Sequence, residues 1–494
     1  MATVQKNSSA QRTKAVQQIK QVAAGVSAEQ DGTARAPDNG RPPAGLQDFD
    51  ERSRPPRPLS PDDARSRFKE IRSGSQALSE MLEPEDQVVQ TCEDVSPTKW
   101  HLAHTTWFFE RFILRPGQSG YRSPDDQYDY LFNSYYNAVG PQFHRPARGF
   151  LSRPTVRQVL EYRAHVDAAI DVWFDGLTGD EWARCAPVLE IGLHHEQQHQ
   201  ELMLTDIKEV LSHNPLAPAP FARDESLLEP HGSSVPAMEW IAFDGGVYEF
   251  GHRCTPDKTF AYDNEGPLHK QYLDGFRIAD RPVTNGDYLE FMADGGYDDP
   301  LLWLSEGWTW RQQTGCGAPH HWRQGEDGWM RYTLSGLCPV LPAAPVSHLS
   351  FYEAHAFATW AGARLPTEYE WELAAQSSHA APPQSGNQLD FSCSADGWII
   401  APEPRPDDSA QPHRLRQLFG DVWEWTSSPY TPYPGFKEQN GALGEYNGKF
   451  MCNQHVLRGG SCATPRGHVR TTYRNFFPAQ ARWQFSGLRL ANHI

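Results

Sequence analysis

Through the first half of the chain, apolar residues recur at helical spacing; beyond it they fall into short runs broken by glycine. In "RPTVRQVLEYRAHVDAAIDVWFDGL", Val156, Val159, Leu160, Val166, Ala169 and Ile170 share one helical face, which predicts an amphipathic helix. "SPDDARSRFKEIRSGSQALSEML" and "SPTKWHLAHTTWFFERFIL" each open with Ser-Pro, read as an N-cap and a first helical position. A further helix is expected from about Asp180 to Leu211. Four amphipathic helices of this size predict a four-helix bundle over residues 59–212. Residues 1–58 are polar and rich in Pro, Gly and charge, the composition of a disordered leader. Residues 213–237, with "SHNPLAPAPFARDESLLEPHGSS", read as a Pro-rich linker. Residues 238–494 carry short strands, glycine turns, many tryptophans and one clear helix, "SFYEAHAFATWAGA". The expected class is therefore multidomain, an α bundle followed by an α+β domain with much irregular structure.

Composition narrows the partners. A formal charge of −17 over 494 residues argues against a nucleic-acid or anionic-membrane surface, since both require basic patches. No apolar run approaches the roughly 20 residues of a membrane span, and the start lacks the apolar core of a secretory signal. Eight cysteines are scattered without a C-x-x-C pair, so reduced thiols and a cytoplasmic location are expected.

The sharpest local signal is "HHEQQHQE", which contains His195-Glu196-Gln197-Gln198-His199 and so spells H-E-x-x-H. Four residues apart on a helix, His195 and His199 present their rings on one face, about 6 Å apart at Cβ. A zinc protease would need Glu196 as general base and a third ligand downstream. Leu202 and Thr205 stand where a metzincin has Gly and His, and Glu225 and Glu229 lie in the linker, so that reading is weak. A better third ligand is upstream: His104 shares a helical face with Trp100, Trp107 and Phe108 in "WHLAHTTWFFE". Three neutral imidazoles in a bundle core fit zinc hydrolysis or non-haem iron chemistry, and spacing alone does not choose.

Longer stretches carry a resemblance. "WHLAHTTWFFE", "FNSYYNAVG", "RGFLSRP" and "HHEQQHQELMLTDI" resemble the DinB-like half of the ergothioneine-pathway sulfoxide synthases. "NEGPLHKQYLDGFRIADRPVTNGDYLEFM", "GDVWEWTSSPYTPYPGF" and "VLRGGSCATPRGHVRTTYRNFFP" resemble their second half, which has the fold of formylglycine-generating enzyme, a C-type-lectin relative. The resemblance runs from about residue 60 to 494. It implies an iron(II) enzyme that uses dioxygen to join the sulfur of cysteine, or a related thiol, to the imidazole C2 of hercynine as a sulfoxide. The two substrates supply the electrons, and no nicotinamide or flavin motif is present.

Carried over residue by residue, the resemblance makes His104, His195 and His199 the iron ligands, and His101 and His194 bystanders. Glu196 and Glu201 become candidates to accept hydrogen bonds from the ligands. The family's tyrosine donor is expected at Tyr135 or Tyr136, because Leu443 stands where the γ-glutamylcysteine branch has its phenol. Gln198, Tyr446 and Asn475 match residues around hercynine. Asn475-Phe476-Phe477 replaces the Asn-Trp-Asp of that branch, which favours free cysteine as donor. Arg145 and Arg148 are candidates for a substrate carboxylate. A copper-binding formylglycine-generating activity is not expected, since Thr464 and Val469 occupy the cysteine positions. Selenoneine synthase, coupling a selenium donor to hercynine, is the nearest rival; histidine as the acceptor and a lectin-like binding module are more remote.

Overall fold

A computed structural model describes residues 59–221, 235, 237–253, 260–377, 379–392, 398, 400–404, 414–438 and 442–494. The expected leader, and most of the expected linker, lie outside the described residues. The bundle is built from α1 (Pro61–Glu80), α2 (Thr98–Phe109), α3 (Val156–Asp175) and α4 (Gly179–Ser212). Helix α4 packs on α1 and α2, and α2 also packs on α3. The helix starts follow local chemistry. Ser60 accepts from the Asp63 N–H with Pro61 behind it, and Thr155 and Thr178 form capping boxes with Gln158 and Glu181.

The start of α2 differs from expectation. Its N-cap is Pro97, not Ser96, because the Ser96 N–H donates to Asp206 of α4 and its hydroxyl accepts from Arg148. The helix runs on through a widened π turn, Glu110–Leu114. Every residue of α2 is buried, so it is the central helix of the bundle rather than an amphipathic surface one.

The second domain holds four helices among the described residues, where one was expected: α5 (Asn285–Ala293), α6 (Ser305–Thr314), α7 (Phe351–Trp360) and α8 (Glu368–Gln376). All four are only nine or ten residues long; α5 and α8 show no clear period amid their aromatic residues, and α6 presents little apolar face. The first strands of the domain are β1 (Trp240–Phe243), the hairpin β2 (Gly246–Phe250) and β3 (His269–Leu273), and β4 (Phe276–Ala279). A meander follows, β5 (Trp322–Gln324), β6 (Trp329–Thr333) and β7 (Gly336–Pro339). Strands β8 (Trp423–Pro429), β9 (His455–Arg458), β10 (Asn475–Phe477) and β11 (Ser486–Gly487) form a sheet in the order β10-β9-β8-β11. β12 (Ala491–His493) returns to pair with β4 beside β1, joining both ends of the domain.

Buried ion pairs fix the sheet that faces the bundle. Arg489 grips Glu424 at 2.7 Å, and Arg458 bonds Glu368 and Glu372 at 3.0 and 2.9 Å, all five side chains at most 3% exposed. Such pairs specify geometry more than they stabilise, and removing one partner leaves a costly lone charge. No helix among the described residues is long and apolar enough to cross a membrane.

Candidate metal centre

Helix α4 passes between the bundle and the second domain, and this explains its polar octet. Successive side chains turn about 100° around the axis, so neighbours in the octet face different walls, and residues three or four apart share one. Glu196 points to α1 and α3, where Ser75 donates at 2.7 Å, Arg72 at 3.1 Å, and Arg163 also bonds it. Gln200 donates to the Ile71 carbonyl at 2.8 Å. Glu201 accepts from Trp423, Ser461 and Thr464 of the second domain at 2.8, 2.6 and 2.8 Å. His194 stacks on Phe260 and meets His468 at 3.2 Å.

The remaining face brings His195 and His199 to His104. Gly192, one turn earlier, permits the approach: a Cβ there would lie 2.7 Å from the Phe109 ring and 2.9 Å from Phe108. One ring nitrogen from each of His104, His195 and His199 lies within 4.8 Å of the others, and all three residues are buried. Trp100 and Trp107 stack on His104 with centroids 4.7 and 5.6 Å apart, and Phe108 flanks His195 at 4.9 Å. Burial, with the neighbouring imidazoles contributing at His104 and His199, lowers all three pKa values, that of His195 to about 3. The imidazoles are therefore neutral, the form that binds metal.

Hydrogen bonds orient two of the three rings. His104 Nδ1 donates to the Phe132 carbonyl at 2.5 Å, leaving Nε2 as a lone pair, buried and without a partner. His199 Nδ1 meets His101 Nδ1 at 2.8 Å, and His101 Nε2 meets Asp206 at 3.0 Å. His101 thus lies outside the converging triad yet orients it, in an Asp–His–His chain. Neither nitrogen of His195 has a partner. Buried orphan nitrogens on neutral rings are what a metal would satisfy, so the donor set fits one.

The expected acceptors Glu196 and Glu201 do not serve the triad. Each is displaced around the helix from the histidine it follows, and each is fully engaged elsewhere. Burial alone would push the Glu196 carboxyl up, but Arg163 and Arg72 outweigh it and hold it at about 2. A carboxylate so bound is no general base, which removes the basis of the protease reading. Glu196→Gln is expected to lower stability by about 3 kcal/mol, because Arg163 would lose its buried counter-charge while Arg72 keeps Asp167 at 2.7 Å. Urea unfolding measures this; an unchanged midpoint would contradict it.

The other expected site residues divide. Gln198 is clasped by the second domain, donating to Tyr473 Oη at 2.7 Å and accepting from Tyr446 Oη. Tyr446 also stands edge-on to His195, centroids 5.7 Å apart. Tyr136 is fully buried against Trp107 and Phe112, its hydroxyl without a hydrogen-bond partner, and Tyr135 stacks on it at 4.6 Å. Burial raises both phenol pKa values, so both are neutral phenols. Arg148 is buried, bonds Ser96 and Ser134 at 2.9 and 3.1 Å, and lies 3.4 Å over the Trp100 ring, with its Nε unpartnered. Arg145 is exposed and donates to the Asp94 carbonyl. On β10, the Asn475 oxygen accepts from the Phe476 N–H, Phe476 stacks on Tyr430 at 4.0 Å, and Phe477 packs on Trp483 at 5.5 Å. Sequence reasoning missed Tyr473 and Asp206. Asp206 lies seven residues past His199, two turns on along the same face, and that spacing was the available signal.

Comparison with known proteins follows the same division. The DinB superfamily model matches residues 67–203, and the Sulfatase-modifying factor enzyme 1-like domain matches 225–494. A hercynine oxygenase of Mycolicibacterium smegmatis is 34% identical over 417 residues, covering 80% of this chain and 91% of that protein. The chain belongs to the hercynine oxygenase family. A hercynine oxygenase of Mycobacterium tuberculosis is likewise 34% identical, over 412 residues, covering 80% of this chain and 91% of its own. The formylglycine-generating enzyme of Bos taurus is 27% identical over 263 residues, covering 47% of this chain and 68% of that protein. Membership of the hercynine oxygenase family thus rests on both halves of the chain together, and the formylglycine-generating likeness on less than half of it.

Proposed function

We propose that this protein is an iron(II)- and dioxygen-dependent sulfoxide synthase that joins the sulfur of cysteine to the imidazole C2 of hercynine. The observation that carries the reading is the buried, neutral, partnerless set of nitrogens on His104 and His195 converging with His199, within a chain related over both halves to hercynine oxygenases. Iron bound by His104, His195 and His199 would supply oxygen activation and acidify a bound thiol.

The chain's own residues divide the remaining work. Gln198 offers its amide beside the triad, oriented by Tyr446 and Tyr473, and is suited to hydrogen-bond an imidazole substrate. Asn475 supplies a second amide for the same ring. Arg148 offers a buried guanidinium with no carboxylate bonded to it, suited to a substrate carboxylate, and Arg145 stands three residues away at the surface. Trp100, Trp107 and Phe108 exclude water around the ligands, which strengthens each polar contact there. Tyr135 or Tyr136 holds the proton that the oxygen chemistry consumes. Bringing both substrates to one centre removes the entropic barrier between two poor reaction partners.

The donor preference follows from Phe476 and Phe477. A γ-glutamyl donor brings an ammonium, and these phenyl rings give it no counter-charge. The carboxylate near Phe477, Asp206 behind Trp483, is already occupied by the Ser96 N–H, His101 and Trp483. Cysteine is therefore expected to exceed γ-glutamylcysteine in kcat/KM by about tenfold or more, a loss of about 1.4 kcal/mol per decade. Competition between the two thiols, read as the product ratio, tests it. A preference for γ-glutamylcysteine, or for a selenium donor offered at equal concentration, would overturn the assignment of cysteine.

A further inference from the structure

Ten residues beyond His199 on α4, Glu209 meets two histidines of the second domain. Its Oε2 accepts from His320 Nε2 at 2.6 Å and lies 3.6 Å from His321 Nε2. Its Oε1 accepts from Nε2 of His213, the C-cap of α4, at 3.1 Å. One ligand atom from each of Glu209, His320 and His321 falls within 4.8 Å of the others.

Hydrogen bonding alone accounts for His320 and His213 but not for His321. Its side chain is 1% exposed and neither ring nitrogen has a hydrogen-bond partner, an expensive arrangement for a buried imidazole. Its backbone is also held at φ 68°, in the left-handed region that a non-glycine residue rarely adopts. The nearby cation does not answer it: Lys208 Nζ is given to His348 at 2.5 Å and lies 4.5 Å over the Phe485 ring. Glu209 meanwhile sits in the last turn of α4, where the helix dipole disfavours a carboxylate and favours a cation.

We infer that Glu209, His320 and His321 bind a divalent transition metal, zinc by donor chemistry, which ties the bundle to the second domain. Neighbouring ligand atoms of a tetrahedral zinc stand about 3.3 Å apart. The Glu209–His321 separation is close to that, and the Glu209–His320 hydrogen bond opens by about 0.7 Å. Ten residues of helix set this site about 15 Å from the triad, so it is a separate centre. The domains already meet beside it, where Arg323 bonds the Ser212 carbonyl and Tyr332 Oη donates to the Pro218 carbonyl at 2.7 Å.

The test uses the full chain carrying His104→Ala, His195→Ala and His199→Ala, titrated with Co²⁺ as a spectroscopic probe and with Zn²⁺. One equivalent per chain should bind with the visible spectrum of four-coordinate cobalt, and zinc should raise Tm. His320→Gln or His321→Gln in that background should weaken binding at least 100-fold. Absence of a stoichiometric site, or affinity unmoved by His320→Gln and His321→Gln, overturns the proposal. Should the triple variant not fold, metal analysis of the iron-loaded wild type after zinc addition decides. One zinc beside the iron, lost in His320→Gln, supports the site; iron alone overturns it.

Discussion

His195→Ala is expected to abolish oxygen consumption and to lower iron occupancy sharply, while leaving the apo fold close to wild type. The two halves of that expectation have different origins. Activity falls because one of three converging ligands is gone. Stability holds because His195 makes no hydrogen bond that its loss would orphan. His199→Ala should lose the same activity yet unfold more easily, since it strands one ring nitrogen of His101, a buried residue of α2. His104→Ala should behave likewise through the Phe132 carbonyl. Bound iron measured after desalting, oxygen uptake and urea midpoints separate the three variants. Full activity in His104→Ala would remove this site from the chemistry.

A second large effect is expected at the tyrosine pair. If Tyr136 or Tyr135 supplies the proton, its Phe variant should slow sulfoxide formation by about 10² to 10⁴-fold, the usual contribution of a positioned acid. Tyr136 allows a clean comparison. Its hydroxyl is buried with only the stacked Tyr135 phenol acting on it, so Tyr136→Phe should cost little stability, and a large loss of rate is functional. Both substrates should still bind. Without the donor, the thiol is expected to be oxidised alone to a sulfinate, so the readout is the ratio of coupled sulfoxide to cysteine sulfinate in each variant. If neither ratio nor rate changes, the donor is elsewhere, with Tyr430 and Tyr433 next to be replaced.

Much of this arrangement was legible in the sequence, and what was not had a physical cause. The periodicity of Val159, Val166 and Ile170 marked α3, and the i, i+4 spacing of His195 and His199 marked their shared face. Ser96 misled because a Ser-Pro start is a local signal, whereas its N–H is claimed by Asp206, 110 positions away. Glu196 and Glu201 misled for a related reason: proximity in sequence is not proximity around a helix buried on all sides. His101 and Tyr473 act through partners on other elements, His199 and Gln198, which one chain's pattern does not display. The short helices α5, α6 and α8 were hidden because tertiary packing, rather than a long amphipathic period, sustains them.

The central claim is a coupling reaction at the three-histidine centre, and product identity tests it most directly. Iron-loaded protein would be mixed anaerobically with hercynine and cysteine, oxygen admitted, and the product identified by mass. The account predicts one hercynine–cysteine sulfoxide per oxygen consumed, and none in His195→Ala. Recovery of unchanged hercynine with only oxidised cysteine, or coupling that survives in His195→Ala, would contradict it.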